Sequence, residues 1–235
     1  MQDIIAAFAL ALTLIGRADP QLVEIVGLSL QVSLMAVAVA CGLALPLGAA
    51  VGALRFPGRV LLAVLLNALM GLPPVVVGLV VYLLLSNAGP LGFLGLLYTP
   101  TAMIIAQTIL VTPLIAALTR QVVEDLNAEY DEQLRSLRVS TATRLGTLLW
   151  DARYSLLTAA LAGFGRAIAE VGAVIIVGGN INHVTRVMTT TIALETAKGN
   201  LALALALGLI LIALAVVVNG AVMGLRATAG RLAYA

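Results

Sequence analysis

Charge is scarce in this chain: Asp, Glu, Lys and Arg make up 10% of its 235 residues, where soluble domains carry about 25%. Histidine and cysteine each occur once, as His183 and Cys41. That leaves no material for a clustered metal site, a Cys–His or Ser–His nucleophile, or an intrachain disulfide. Cys41 lies in an apolar run and reads as a small buried apolar residue, and His183 reads as a solvated loop residue. No GxxxxGK[ST] is present, so the chain lacks a phosphate-cradling loop and is expected not to bind ATP itself. No catalytic residue, metal ligand or cofactor site is assigned. A formal net charge of +2 is too small to argue for nucleic acid. Met1-Gln2-Asp3 brings no basic residue ahead of the apolar run Ile4 to Ile15, so residues 4–16 are expected to be retained rather than cleaved. Long linkers and a convincing internal repeat are also missing. This favours a single domain over residues 1–235 and weakens an inverted-repeat secondary transporter within one chain.

What is abundant is apolar surface. The chain is 62% hydrophobic with a mean hydropathy of +1.12, more than a soluble fold of this size can hide. The expected fold class is all-α, a polytopic membrane helix bundle, with the lipid bilayer as its main solvent. Runs at about 23–53, 59–86, 101–119 and 200–225 meet the roughly 20-residue requirement for a span. A fifth, about 153–181, is long but carries charge, and 4–15 is short for a span. Five or six transmembrane helices are expected. Strand alternation is absent, and unpaired backbone groups in lipid cost several kcal/mol each, so helices are required.

Basic residues orient the spans. With the Arg55/Arg59 turn inside, alternation assigns Arg55, Arg59, Arg120, Arg135, Arg138, Arg144, Arg153, Arg226 and Arg231 to the cytoplasmic side, nine of thirteen basic residues, as the positive-inside rule requires. Gly42, Gly48 and Gly52 give one helix a surface that neighbours can approach closely. Pro46 is expected to kink or end its helix. Gly71-Leu72-Pro73-Pro74 interrupts another run, either as a packed kink or as a broken helix beside a water-filled path.

Residues 120–152 form the one long hydrophilic segment, in which Glu132, Leu134, Leu137, Leu145 and Leu148 alternate with Arg135, Arg138 and Arg144. The pattern suits one or two short amphipathic helices, able to lie on headgroups or to dock into a partner's groove. Further on, Arg166 and Glu170 are four residues apart, so on one helix they share a face and can pair. They lie about 20–25 Å along a helix from Arg153, near the middle of a bilayer, where ionisable residues are costly. A passage for an anion and a purely structural ion pair both fit. Gly178, Gly179 and Asn180 follow, either lining a mouth with backbone N–H groups and an amide or forming a glycine-allowed helix end.

The segment Glu132-Gln133-Leu134-Arg135-Ser136-Leu137-Arg138, with Leu148-Leu149-Trp150-Asp151, resembles the EAA loop of ABC-importer permeases. The family's glycine corresponds to Arg138 and its final Leu-Pro to Trp150-Asp151. Gly71-Leu72-Pro73-Pro74-Val75-Val76-Val77-Gly78 is similar to the Leu-Pro-Pro-Val-Val stretch of the molybdate and sulfate permease group. Gly165-Arg166-Ala167-Ile168-Ala169-Glu170-Val171-Gly172-Ala173 and Gly178-Gly179-Asn180-Ile181 are similar to other elements of that group. The Gly-Gly-Asn form and Thr189 to Thr196 look most like tungstate permeases. The resemblance covers about residues 25–225.

The resemblance implies a permease subunit of an ATP-binding-cassette importer for a tetrahedral oxyanion, tungstate first, molybdate or sulfate next, in a prokaryotic inner membrane. It implies a homodimer, two ATPase subunits that bind the ATP and dock on the cytoplasmic loop 120–152, and an extracytoplasmic oxyanion-binding protein. Glu132, Leu134, Arg135, Leu137, Arg138 and Leu145 become the coupling residues. Arg166, Glu170, Gly178, Gly179, Asn180, Pro73 and Pro74 become the substrate pathway. Rival readings are a secondary oxyanion transporter without an ATPase and a structural membrane subunit of an enzyme complex.

Overall fold

The computed structural model describes the backbone of residues 2–233 and the side chains of residues 5–221, 223 and 224. The tail arginines Arg226 and Arg231 lie outside the described side chains. All regular secondary structure among the described residues is helical, as the need to satisfy backbone groups in lipid dictates. In chain order the helices are α1 (Gln2–Gly16), α2 (Pro20–Ala53), α3 (Arg59–Met70), α4 (Pro74–Leu85), α5 (Pro100–Ser136), α6 (Thr141–Asp151), α7 (Arg153–Ile168), α8 (Gly172–Gly178), α9 (Met188–Lys198) and α10 (Leu201–Ala233), with a 3-10 turn at Gly92–Leu94.

Among the described residues three helices are long and apolar enough to cross a membrane: α2, α5, and α10 over Leu201–Ala221. The pairs α3–α4 and α7–α8 add two more if each bent pair counts as one span. The described part of α1, Ile5–Gly16, is shorter than a span. The chain is a polytopic helical membrane protein.

The α3–α4 break falls at the Gly-Leu-Pro-Pro stretch and has a local cause. Pro73 keeps Leu72 out of the helical region. It sits extended (φ −64°, ψ 123°) ahead of α4, and Pro74 takes the first helical position, where a missing N–H costs nothing. Pro46, by contrast, does not end its helix: α2 runs through it to Ala53. The hydrophilic segment is also not a pair of separate surface helices. Its first half is the continuation of α5 to Ser136, and only its second half is an independent helix, α6.

The chain folds into two compact units. One comprises residues 1–36, 73–107 and 166–218, the other 37–72, 108–165 and 219–235. In the first, α4 packs on α8 so closely that a Cβ on Gly78 would lie 2.8 Å from Ala173 Cα. In the second, α2 lies against α5: a Cβ on Gly48 would meet Ala116 O at 2.5 Å and one on Gly52 would meet Arg120 O at 2.7 Å. This is the small-residue route by which helices attract one another where lipid removes the hydrophobic drive. Gly42 has open space beside it, so close packing uses two of the three glycines on that helix.

Candidate functional site

The break between α7 and α8 falls at Ala169–Val171, in the first unit. Glu170 holds it. Its backbone N–H donates to Ala167 O (3.1 Å), and its carboxylate accepts the Ala173 N–H (3.1 Å), one of the orphan donors that open α8. Its carbonyl accepts from the Thr189 hydroxyl (2.8 Å). Glu170 is 7% exposed.

This corrects the expected Arg166–Glu170 pair. The i,i+4 rule holds only on an unbroken helix, and α7 stops at Ile168. Arg166 is exposed, and the two do not form an ion pair among the described residues. What Glu170 meets instead is a small polar cavity shared with Ser29, Ser33, Gln107 and Thr189. Gln107 reaches it from α5, its amide N–H₂ donating to Ala167 O at 3.0 Å. Buried Gln107 on an apolar run was a signal in the sequence that went unread.

The two bends meet. A Cβ on Gly172 would lie 2.9 Å from Val75 Cγ2, so the segment after Pro73 and Pro74 borders the segment after Glu170. Pro73 itself is exposed and Pro74 half-buried. At the far end of α8, Gly178 is buried against Met103 and its carbonyl accepts the Thr185 hydroxyl. Gly179 and Asn180 both adopt positive φ, 70° and 51°. The Asn180 amide is committed: its N–H₂ donates to Thr190 O (3.3 Å) and its oxygen accepts from the Thr190 hydroxyl (3.0 Å). The pairing ties the end of α8 to the start of α9, whose Thr189, Thr190 and Thr191 are all buried. His183 is exposed, with Nδ1 2.9 Å from the Glu24 carboxylate.

Glu195, near the end of α9 and 6% exposed, was missed as a structural polar residue. Lys198 Nζ (3.1 Å) and Asn200 Nδ2 (2.9 Å) each donate to one of its oxygens. Burial pushes this carboxyl up, and these donors together with the charge of Arg186 outweigh it, leaving it below the usual carboxylate range.

The second unit holds the α5–α6 corner. Past the apolar stretch 101–119, α5 carries Glu124, Asn127 and Asp131. Arg59 donates to Val51 O (2.7 Å) and Gly52 O (3.2 Å), the orphan carbonyls at the end of α2, and to Glu124 (2.7 Å); Arg120 donates to the other Glu124 oxygen. Arg144 of α6 donates to Asn127 Oδ1 (2.8 Å) and Asp131 Oδ1 (2.6 Å), and Arg135 pairs with Asp131 at 3.0 Å. The Arg144 hydrogen bond leads in holding the Asp131 carboxyl below its ordinary range, against partial desolvation and with help from Arg135 and Arg55.

Arg138 turns the corner with φ 49°, and Ser140 caps α6 by accepting the Thr143 N–H at 3.1 Å. Beneath lies an apolar core of Ala49, Ala53, Val123, Leu134 and Leu148, with Leu145 packed against it. The six residues read as a coupling set therefore divide. Leu134 and Leu145 face inward, while Glu132, Arg135, Leu137 and Arg138 are exposed, Leu137 at 71%.

Apolar helices long enough to span a bilayer, with helix pairs broken at Pro73–Pro74 and at buried Glu170, make this a multi-pass membrane protein. Residues 44–225 match the family of binding-protein-dependent transport system inner membrane components, and the chain belongs to that family. It is 40% identical over 226 residues, 96% of this chain and 99% of the relative, to the tungstate uptake system permease protein TupB of Peptoclostridium acidaminophilum. Over 189 residues, 77% of this chain and 80% of the relative, it is 44% identical to a probable anion ABC transporter permease protein of Haloferax volcanii. It is 35% identical to the TupB permease of Campylobacter jejuni over 195 residues, 83% of this chain and 82% of the relative.

Proposed function

We propose that this chain is the permease subunit of an ATP-binding-cassette importer for tungstate. The observation that carries the reading is the end-to-end 40% identity to a permease named for tungstate uptake. The subunit forms a homodimer, binds no cofactor of its own, and takes its energy from two ATPase subunits on the cytoplasmic segment 120–152. An extracytoplasmic binding protein delivers the anion. Glu132, Arg135, Leu137 and Arg138 meet the ATPase directly, and Leu134 and Leu145 hold their helices on the core below. The exposure of the first four, the burial of Leu134 and the packing of half-buried Leu145 on the same core support this division.

In the pathway, Arg166 supplies an attractive field for the anion. Pro73, Pro74, Glu170, Gly178, Gly179 and Asn180 shape the backbone around it, as their places at the two bends and at the end of α8 suggest. The segment 127–152 acts as a lever, and its motor must bind one arrangement of the permease better than the other for motion to follow.

The test is uptake into vesicles holding this chain with the ATPase and binding protein encoded beside it. Expected is ATP-dependent accumulation of tungstate in preference to molybdate and sulfate. Changing Glu132 and Arg135 together to Ala leaves ATP hydrolysis while uptake is lost. Ion-gradient-driven uptake by the lone chain would overturn the reading.

A further inference from the structure

Around the Glu170 cavity most hydrogen-bond donors are spent. Gln107, 4% exposed, uses its N–H₂ on Ala167 O, and its Oε1 is buried without a partner. The Ser29 hydroxyl donates to Ile25 O (2.7 Å) while accepting from Met188 N–H, and the Thr189 hydroxyl donates to Glu170 O. The Ala173 N–H is already taken by Glu170. Apart from the Ser33 hydroxyl and the second N–H of the Gln107 amide, the lining offers lone pairs and one carboxylate, with no basic side chain among its residues.

A buried acceptor left unmatched, and a buried carboxylate without a counter-charge, are both costly. An oxyanion is the wrong occupant for such a lining. A single water has two hydrogens to offer and brings no charge. The cavity measures about 10 Å³, close to the lower bound for one water-sized occupant. It adjoins the break in a membrane helix, the setting in which polar backbone and side-chain oxygens hold small cations in other membrane proteins.

We propose that this cavity is a binding site for one dehydrated monovalent cation of the Na⁺ class, held by the Glu170 carboxylate and Gln107 Oε1 with hydroxyl oxygens of Ser33, Ser29 and Thr189. The cation neutralises Glu170 and fixes the α7–α8 bend to α5 and α9. This is independent of which anion the protein moves.

The test uses the full-length chain in lipid nanodiscs, its melting temperature followed at constant ionic strength as NaCl replaces choline chloride, with LiCl and KCl as size controls. Expected is a saturable rise, on the order of 5 °C at a hundredfold excess over Kd, that is larger for Na⁺ than for K⁺. Glu170→Gln keeps the acceptor for Ala173 N–H and removes the charge, so the rise should vanish. Ser33→Ala, a milder change, should shift the half-saturating Na⁺ concentration upward several-fold and keeps the test open if the first variant does not fold. The same melting temperature in every salt would overturn the proposal and leave the cavity to water. A dependence on pH but not on Na⁺ would overturn it in favour of a proton.

Discussion

At the α5–α6 corner each acidic side chain that anchors the structure shares its charge with arginine within reach of water: Glu124 with Arg59 and Arg120, Asp131 with Arg135 and Arg144. In the other unit Glu170 is buried, has no arginine partner among the described residues, and bonds to backbone groups and the Thr189 hydroxyl. Exposed pairs contribute little each and are replaceable, whereas a lone buried carboxylate is expensive to keep. Substitutions should therefore cost very different amounts in the two places.

The largest effect is expected where the cavity unit has least room. Gly78→Leu sends a side chain into the Ala173 backbone, 2.8 Å from where a Cβ would sit, and neither helix can retreat without opening the α4–α8 contact. A loss of at least about 3 kcal/mol is expected, seen as loss of monodisperse protein on size exclusion in detergent. A well-behaved Gly78→Leu protein would show that this contact is slack and would break the contrast.

Within the corner unit itself depth decides. Leu148 is fully buried in its core, so Leu148→Ala should cost about 2–4 kcal/mol. Leu137 is a larger apolar residue than its site needs, 71% exposed, and Leu137→Ala should stay within about 0.5 kcal/mol while reducing ATP-coupled uptake. Thermal unfolding and vesicle uptake on the same two variants separate the roles. Equal destabilisation would remove the case for Leu137 as a docking residue.

These contrasts were only partly legible in the sequence. The α3–α4 break was, because proline chemistry acts locally at Pro73 and Pro74. The α7–α8 break was not: Ala169-Glu170-Val171 contains no helix breaker, and the bend depends on Thr189 and Gln107, which are distant in sequence. The small face of α2 was visible as a composition, but which glycines touch α5 is fixed by helix rotation, which composition does not encode. Polarity marked residues 120–152 correctly, yet polarity alone does not say that α5 continues through half of them. Arg144 counted only as a positive charge until Asn127 and Asp131 were seen beneath it.

A smaller effect is expected from acid. Asp131 has its carboxyl held below the ordinary value, chiefly by Arg144. A group depressed in the folded state contributes stability that is fully present above its unfolded value of about 3.9 and is lost as pH falls through the folded one. The clamp between α5 and α6 should therefore hold at neutral pH and loosen below about pH 4. The only tryptophan, Trp150, sits on α6 and reports it. Asp131→Asn should flatten that part of the fluorescence titration, and an unchanged acid limb would reassign it to other carboxylates.

The smallest effect runs in the opposite direction. Arg138 holds φ 49° between α5 and α6, a left-handed conformation that costs a residue with a Cβ about 1 kcal/mol or more and costs glycine nothing. The Arg138 side chain is exposed and makes no ion pair among the described residues, so little packing is lost on its removal. Arg138→Gly should raise stability by up to about 1 kcal/mol, the gain being trimmed by the greater freedom of glycine in the unfolded chain. A small rise in melting temperature together with weaker ATPase coupling would mean that the strained arginine is kept for its partner. A fall in melting temperature would mean that the side chain supports the corner itself, and would blur the distinction between the grasped surface and the structure beneath it.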